Sequence, residues 1–177
     1  MKRGMKSLVW AFTAIILCWG CSNEDDFSGE EEFLHAKVNG ENFNASIDGD
    51  DLYFKKEINS NGTIDLILRG RSRDQKIIQF AIRNYMGSKR YIMGNKSSLH
   101  RDHFLNGNWC DFSEETTGLV WSTKNLPVVG NLSQSYVEID SDNGNMISGA
   151  FLFDAYDNGG NDRKSVSEGI FQVEIRP

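Results

Sequence analysis

His100 and His103 stand three residues apart, with Cys110 seven positions further on and Asp102 and Asp111 close by. On a helical turn, histidines at that spacing point the same way, and a thiolate would complete a tetrahedral zinc site. The spacing matches no standard finger, however, and a ligand set needs a rigid scaffold to converge on, so the bland reading is a pair of solvated loop histidines. Cys110, in Asn108-Trp109-Cys110-Asp111-Phe112, reads as a small buried strand residue. A reactive thiol would need a base or cation fixed beside it. Asp140-Ser141-Asp142-Asn143-Gly144-Asn145 gathers oxygen ligands as calcium loops do. Glycine falls at its fifth position and Phe151 at its twelfth, where oxygen donors are required, which favours a hairpin turn with Asn143 and Gly144 supplying positive φ. Asp154, Asp157, Asn158, Asn161 and Asp162 form a second acidic loop with the same two readings. Glu114 and Glu115 have the chemistry of a glycosidase acid and base, but neighbours on a strand face opposite ways. Trp109, Trp121, Tyr85, Tyr91, Tyr136 and Tyr156 offer rings that stack on sugars or, more commonly in strands, fill cores and pair across strands. The chain has no Gly-x-Ser-x-Gly, His-Glu-x-x-His, P-loop or Gly-x-Gly-x-x-Gly motif. No catalytic, metal-binding or cofactor-binding residue is therefore assigned.

Cys21 is the one residue whose context specifies a chemistry. A basic head, Met1 to Lys6, precedes the uncharged run Leu8 to Leu17, and Gly20 sits directly before the cysteine. Basic head, short apolar core and small residue at the cut describe a secretory signal peptide over residues 1–20. The apolar run is about half of the ~20 residues that a membrane-spanning helix needs. A cysteine as first residue of the product is similar to a bacterial lipoprotein, with lipid attached through the Cys21 thiol. Cys18 stands where such signals usually carry an aliphatic residue, and Trp19 is bulky for its place. The alternative is a plain signal peptide with an incidental cysteine. Ser22 and the acids after it resemble the signal that sends Bacteroidota lipoproteins to the outer face of the outer membrane.

Composition bounds the remainder. Cleavage would leave 157 residues, Cys21 to Pro177, enough for one domain with its own core. The formal charge of −6 becomes −9 on loss of Lys2, Arg3 and Lys6. Six of the acids lie in residues 22–32, which hold no base. Like charges so close repel and stay solvated, so residues 21–32 read as a lipidated cysteine followed by a disordered acidic tether. A net-acidic chain without a basic cluster argues against nucleic acid and against docking on anionic lipid. With Cys18 removed and Cys21 acylated, Cys110 has no intrachain partner, so no disulfide framework is expected.

The elements that must position these residues are strands. Beyond residue 32 the period is two: Leu34, Ala36 and Val38; Phe43 and Ala45; Leu52 to Ile58; Ile64, Leu66 and Leu68; Ile78, Phe80 and Ile82. Leu119 and Trp121 continue the series, then Val137 and Ile139, then Ile147, Gly149, Phe151, Phe153 and Ala155, and last Phe171, Val173 and Ile175. Such alternation lets one face of a sheet bury apolar side chains while the other meets water. Asn39-Gly40 between alternating runs is a strong hairpin signal, because both central residues need positive φ. No stretch beyond the signal keeps a helical apolar stripe for three turns. Residues 87–108 are the least periodic and read as mostly loop with a short helical turn. The expected fold over residues 33–177 is a single all-β domain, an antiparallel β-sandwich of roughly eight to ten strands, with a closed lipocalin-like β-barrel as the alternative.

Ala36-Lys37-Val38-Asn39-Gly40-Glu41-Asn42-Phe43-Asn44-Ala45 opens this domain, and Arg90-Tyr91-Ile92-Met93-Gly94 lies mid-chain. Val137-Glu138-Ile139-Asp140, Ile147-Ser148-Gly149-Ala150-Phe151-Leu152-Phe153 and Glu168-Gly169-Ile170-Phe171-Gln172-Val173 follow. In that order they resemble a family of uncharacterised Bacteroidota lipoproteins built on a domain of unknown function. The resemblance implies an all-β domain behind a lipoprotein signal and brings no catalytic residues with it.

The expectation is a lipoprotein held in the outer membrane by Cys21 and facing the cell surface, with the periplasmic face as alternative. Its monomeric domain would be a non-enzymatic binding or structural module without cofactor, its partner a glycan or an envelope protein. The rival readings are a glycan-acting hydrolase of the cell surface and a lipocalin-like carrier of small ligands.

Overall fold

Asn39 and Gly40 both take positive φ, at 50° and 86°, so the chain reverses in two residues with the twist that hairpins favour. The turn joins β1 (Phe33–Val38) to β2 (Glu41–Asn44). The structure, a computed structural model, describes residues 31–48, 51–94, 107–125 and 135–176. Nine further strands follow: β3 (Leu52–Ile58), β4 (Ile64–Arg71), β5 (Lys76–Ile82), β6 (Arg90–Ile92), β7 (Trp109–Glu114), β8 (Leu119–Ser122), β9 (Tyr136–Asp142), β10 (Met146–Tyr156) and β11 (Arg163–Arg176). Among the described residues the only helical element is a short 3₁₀ turn, Thr123–Asn125.

The protein is all-β, and its pairings resolve into two layers. One runs β3-β4-β5-β7-β8, the other β2-β1-β11-β10-β9-β6. Two short seams join them. β11 meets β3 in parallel through Ile175↔Phe54 and Arg176↔Lys55, and β10 meets β8 through the single bridge Tyr156↔Ser122. Joins this short make a folded-over sandwich rather than an evenly closed barrel. The strands number eleven, above the eight to ten expected, and one pairing is parallel in an otherwise antiparallel set. Part of the excess is β6, which lies in the stretch whose weak periodicity suggested loop.

The space between the layers is filled by side chains. The Phe80 ring, from β5, lies 5.8 Å from that of Phe151 on β10 and 5.5 Å from that of Phe171 on β11. Around them Leu34, Leu66, Leu68, Ile78, Val137 and Val173 are buried. On β10 every inward position from Ile147 to Ala155 is buried and every alternate position only half so, which is period two carried through eleven residues. β11 breaks that parity once. Val166 and Phe171 both face inward although five positions apart, because the β10 register steps from Phe151↔Gly169 to Phe153↔Val166. Glu168 at the bulge takes φ of 52°, and a Cβ on Gly169 would lie 2.5 Å from the Phe151 ring. A bulge thus re-aims half of β11 without opening the core.

Two details depart from the sequence pattern. Leu119 is 52% exposed while Trp121 is buried. β8 is a four-residue strand whose first two residues, Leu119 and Val120, are both exposed and whose last two are both buried, so alternation there does not report a core face. At the other boundary the packed unit begins at Glu31, inside the segment expected to be tether. Glu32 Oε1 accepts the Glu174 N–H at 2.8 Å, and its Oε2 accepts Arg176 Nη2 at 2.8 Å.

Candidate functional site

The outer face of the five-stranded layer carries the arrangement with most chemical content. Strand register places Tyr53 beside Arg69, Arg69 beside Gln79, Gln79 beside Asp111 and Asp111 beside Ser122. This polar row alternates with the core positions Leu68, Phe80 and Cys110, so it faces outward by the same pleat that buries them. One step along the strands, Ile67, Ala81 and Trp109 form a parallel apolar row.

The charges on this face are mostly spent. Glu115 accepts Arg69 Nη2 at 3.1 Å and Arg71 Nε at 2.8 Å, and Arg71 Nη1 donates to Asp51 at 3.1 Å. The Trp109 ring carries the Lys124 ammonium 4.0 Å from its centroid, a cation–π contact. Asp111 is different. Its Oδ1 is the one buried side-chain oxygen or nitrogen without a hydrogen-bond partner among the described residues. Burial pushes its carboxyl above the ordinary value, and the Ser122 hydroxyl and Lys124 charge oppose that without reversing it. That oxygen is shut off from solvent, so the face turns outward the Gln79 amide and the Trp109 indole, the latter under Lys124.

Residues singled out from the sequence fall in several places. Cys21 lies outside the described residues, as do His100 and His103. Cys110 is fully buried in β7, its N–H donating to Thr123 Oγ1 at 2.9 Å. Burial raises its thiol well above the usual value, with Asp111 adding to the effect, so it is a small core residue and no nucleophile. Among the described residues no three His, Cys, Asp or Glu are placed to hold a metal. Glu114 and Glu115 do point apart. Glu115 sits on the two arginines, while Glu114 borders a hollow of about 160 Å³ with Lys76 and Lys164.

Both acidic loops are turns in which the carboxylates of Asp142, Asp157 and Asp162 are engaged. Asn143 Oδ1 accepts the N–H groups of Asn145 and Met146 at 2.9 and 2.8 Å, and positive φ falls on Gly144 alone rather than on both expected residues. The side-chain turn does what a left-handed Asn143 would have done. In the second loop Asp157 Oδ1 accepts the N–H groups of Asn161 and Asp162 at 2.7 and 3.0 Å. Those bonds hold its carboxyl below the ordinary range, the Asp162 N–H contributing most. Asp162 in turn accepts Trp121 Nε1 at 2.8 Å.

Of the aromatics considered for sugar stacking, Trp121, Tyr85 and Tyr91 are buried. Trp109 and Tyr136 are half-buried on outer faces, and Arg90 lies 4.1 Å over the Tyr136 ring. A hollow of about 650 Å³ runs outside β1 and β2, bordered by Glu32, Phe33, His35, Asn44, Asp48 and Arg73. Sequence reasoning set Asp111 beside a zinc candidate and did not see its place on this outer face, although its position two residues after Trp109 on an alternating strand was a legible signal. It also missed the Lys56, Tyr85 and Asp142 constellation, whose members are too far apart in the chain to leave one.

Over residues 30–173 the chain matches the family described as Domain of unknown function (DUF6252). Comparison with curated proteins and with solved structures gives no match.

Proposed function

We propose that this chain, which belongs to the DUF6252 family, is a lipid-anchored protein of the cell envelope whose β domain binds rather than catalyses. The observation that carries the reading is the filled space between the layers, centred on Phe80, Phe151 and Phe171. A carrier needs an interior cavity for its cargo, and a glycosidase needs two carboxyl groups on one substrate. Here the interior is occupied by phenylalanines, and Glu115 is committed to Arg69 and Arg71. Binding is left to the outer faces, with a glycan or an envelope protein as partner and no cofactor.

The anchor in this reading is Cys21, and the address is the outer membrane with the domain turned to the cell surface. Gly20 before the cysteine and the acids after it support lipid attachment followed by a solvated spacer. Buried acyl chains would supply ~0.8 kcal/mol per CH₂. The test is Cys21→Ala expressed with labelled fatty acid. The variant is expected to lose the label and leave the membrane fraction. Label that persists on the variant refutes the lipid attachment.

A further inference from the structure

We infer that the hollow beside the turn between β3 and β4 is a binding site for the carboxylate of a sugar acid, held by Arg83. The inference rests on the binding-module reading above and names the ligand class and the place. The hollow measures about 750 Å³. Arg83 borders it directly after β5 and lies beside Asp65 of β4, one step beyond the Leu66↔Ile82 pair. The Asp65 side chain is 6% exposed and that of Arg83 41%. Arg83 Nη1 donates to Asp65 Oδ2, and the Asn84 N–H donates to Oδ1 at 3.1 Å. Burial alone would raise the Asp65 carboxyl, but bonds from Arg83, Asn59 and Asn84 outweigh it and hold it below its ordinary value. Asp65 is therefore an ionised group set behind the guanidinium, which it orients. On the other side Asn108 Oδ1 pins the backbone by accepting the Arg83 N–H at 2.8 Å. Asp65 occupies Nη1 alone. The Nε and Nη2 donors of Arg83 have no partner among the described residues, and they form the edge of the fork that takes a carboxylate through two parallel bonds.

The rest of the border narrows the choice of carboxylate. It consists of the amides of Asn59, Asn61 and Asn84 and the hydroxyls of Ser60 and Thr63, with no apolar side chain. Asn59 Nδ2 donates to Thr63 Oγ1, which donates to Asn61 Oδ1. The Asn61 and Asn84 side-chain N–H groups and the Ser60 hydroxyl are unpaired among the described residues and can bond hydroxyls. A uronate, a carboxylate on a ring of hydroxyls, meets a partner for each kind of group it carries. A fatty acid or an apolar peptide end would find no apolar wall to gain from. Glu57, beside Asp65 in register, does not border the hollow and is paired with Lys55 at 2.9 Å. The chain as a whole is net negative and repels anions at long range, so recognition here is by contact.

The experiment is calorimetric titration of the full chain in detergent at about 0.15 M salt, where repulsion is screened beyond ~8 Å. The ligands are trigalacturonate, maltotriose as the neutral sugar and inorganic phosphate as the bare oxoanion. Trigalacturonate is expected to bind with Kd of about 1 mM or tighter, and the other two at least tenfold more weakly. Arg83→Gln should weaken trigalacturonate binding at least tenfold. Arg83→Lys keeps a charge for Asp65 but loses the two-bond edge; it should cost at least threefold and replaces the glutamine variant if that fails to fold. Arg73→Gln, at an arginine 88% exposed between β4 and β5, should change nothing. The inference is overturned if trigalacturonate does not bind, if maltotriose or phosphate binds as tightly, or if the Arg83 variants bind as wild type. Binding lost through Arg73→Gln and kept in Arg83→Gln would also overturn it, while sparing the binding-module reading. Cleavage of trigalacturonate during titration would instead overturn that reading itself.

Discussion

Lys56 and Asp142, 86 positions apart in the chain, form an ion pair that ties the two layers together at one end of the sandwich. Lys56 Nζ reaches Asp142 Oδ1 at 3.0 Å and Oδ2 at 2.7 Å. Lys56 follows Leu52 and Phe54 on the inward parity of β3, and Asp142 ends β9 in the opposite layer. Tyr85 Oη donates to Asp142 Oδ2 at 2.7 Å, and the Gly144 N–H to Oδ1 at 3.1 Å. With side-chain exposures of 26% and 12%, the pair is too dry to be screened away like a surface bridge. Nor can Tyr85 act as a base, because burial and the neighbouring carboxylate push its hydroxyl far up. The constellation links β3, the residues after β5 and the end of β9 through one carboxylate.

Asp142 should therefore make stability depend on acid. Burial raises its carboxyl, but the bonds from Lys56, Tyr85 and Gly144 outweigh burial and hold it below the ordinary value. A carboxyl depressed in the folded state contributes stability that is present above its unfolded value, about 4, and is lost as pH falls through the folded one. Asp142→Asn is expected to cost about 2 kcal/mol at pH 7 and to lose part of the decline in melting temperature below about pH 4. Denaturant titrations at pH 7 and pH 3 measure both. A variant as stable as wild type at pH 7 would show that the phenylalanine core alone holds the layers.

Glu32 fills a gap between strands. On the edge of β11, β1 pairs as far as Gln172 and β3 takes over at Ile175, which leaves the Glu174 N–H between them without a strand partner. The Glu32 carboxylate supplies that bond and another to Arg176. Glu32→Ala should cost about 1 kcal/mol, read from the denaturation midpoint, with m unchanged. A loss below about 0.3 kcal/mol would mean water serves that N–H equally well.

Phe151 tests the packing between layers. Its ring is buried against Phe80 and Phe171, with Gly169 beneath it. Phe151→Ala is expected to cost about 3–5 kcal/mol. Gly169→Ala should be comparably severe, since its Cβ would press on both the Phe151 ring and the Phe151 carbonyl oxygen, the latter at 2.6 Å. Thermal melts of both variants check this. A Gly169→Ala chain melting with wild type would show that β11 slides freely at its bulge.

What the sequence made legible follows from how local each signal is. The inward faces of β10 and of β11 beyond its bulge, and the Asn39-Gly40 turn, depend on residues one or two apart, and they could be read directly. The bulge at Glu168 leaves no such mark, because a single inserted residue resembles a lapse in alternation. Leu119 misleads for the opposite reason, since its alternation is local while burial depends on what lies opposite. Partners such as Lys56 and Asp142 meet only through the order of strands in two layers, which no periodicity encodes. The candidate site was half visible: Trp109 was noted for its ring, whereas the significance of Asp111 depends on having no partner, a property of the assembled face.

Asp111 should carry a pH signature opposite to that of Asp142. Its folded carboxyl is raised by burial, so the native state holds that proton more tightly than the unfolded chain does. Such a group favours folding below the unfolded value, and that advantage is lost as pH rises from the unfolded value through the folded one. At pH 7 the buried, partly unpartnered carboxylate is then a net cost. Asp111→Asn removes the charge while keeping the shape, and it is expected to stabilise the chain by about 1 kcal/mol at pH 7 and to make no such difference at pH 3. Denaturant titration at the two pH values decides it. An Asp111→Asn chain less stable than wild type at pH 7 would mean that the carboxylate is satisfied in place.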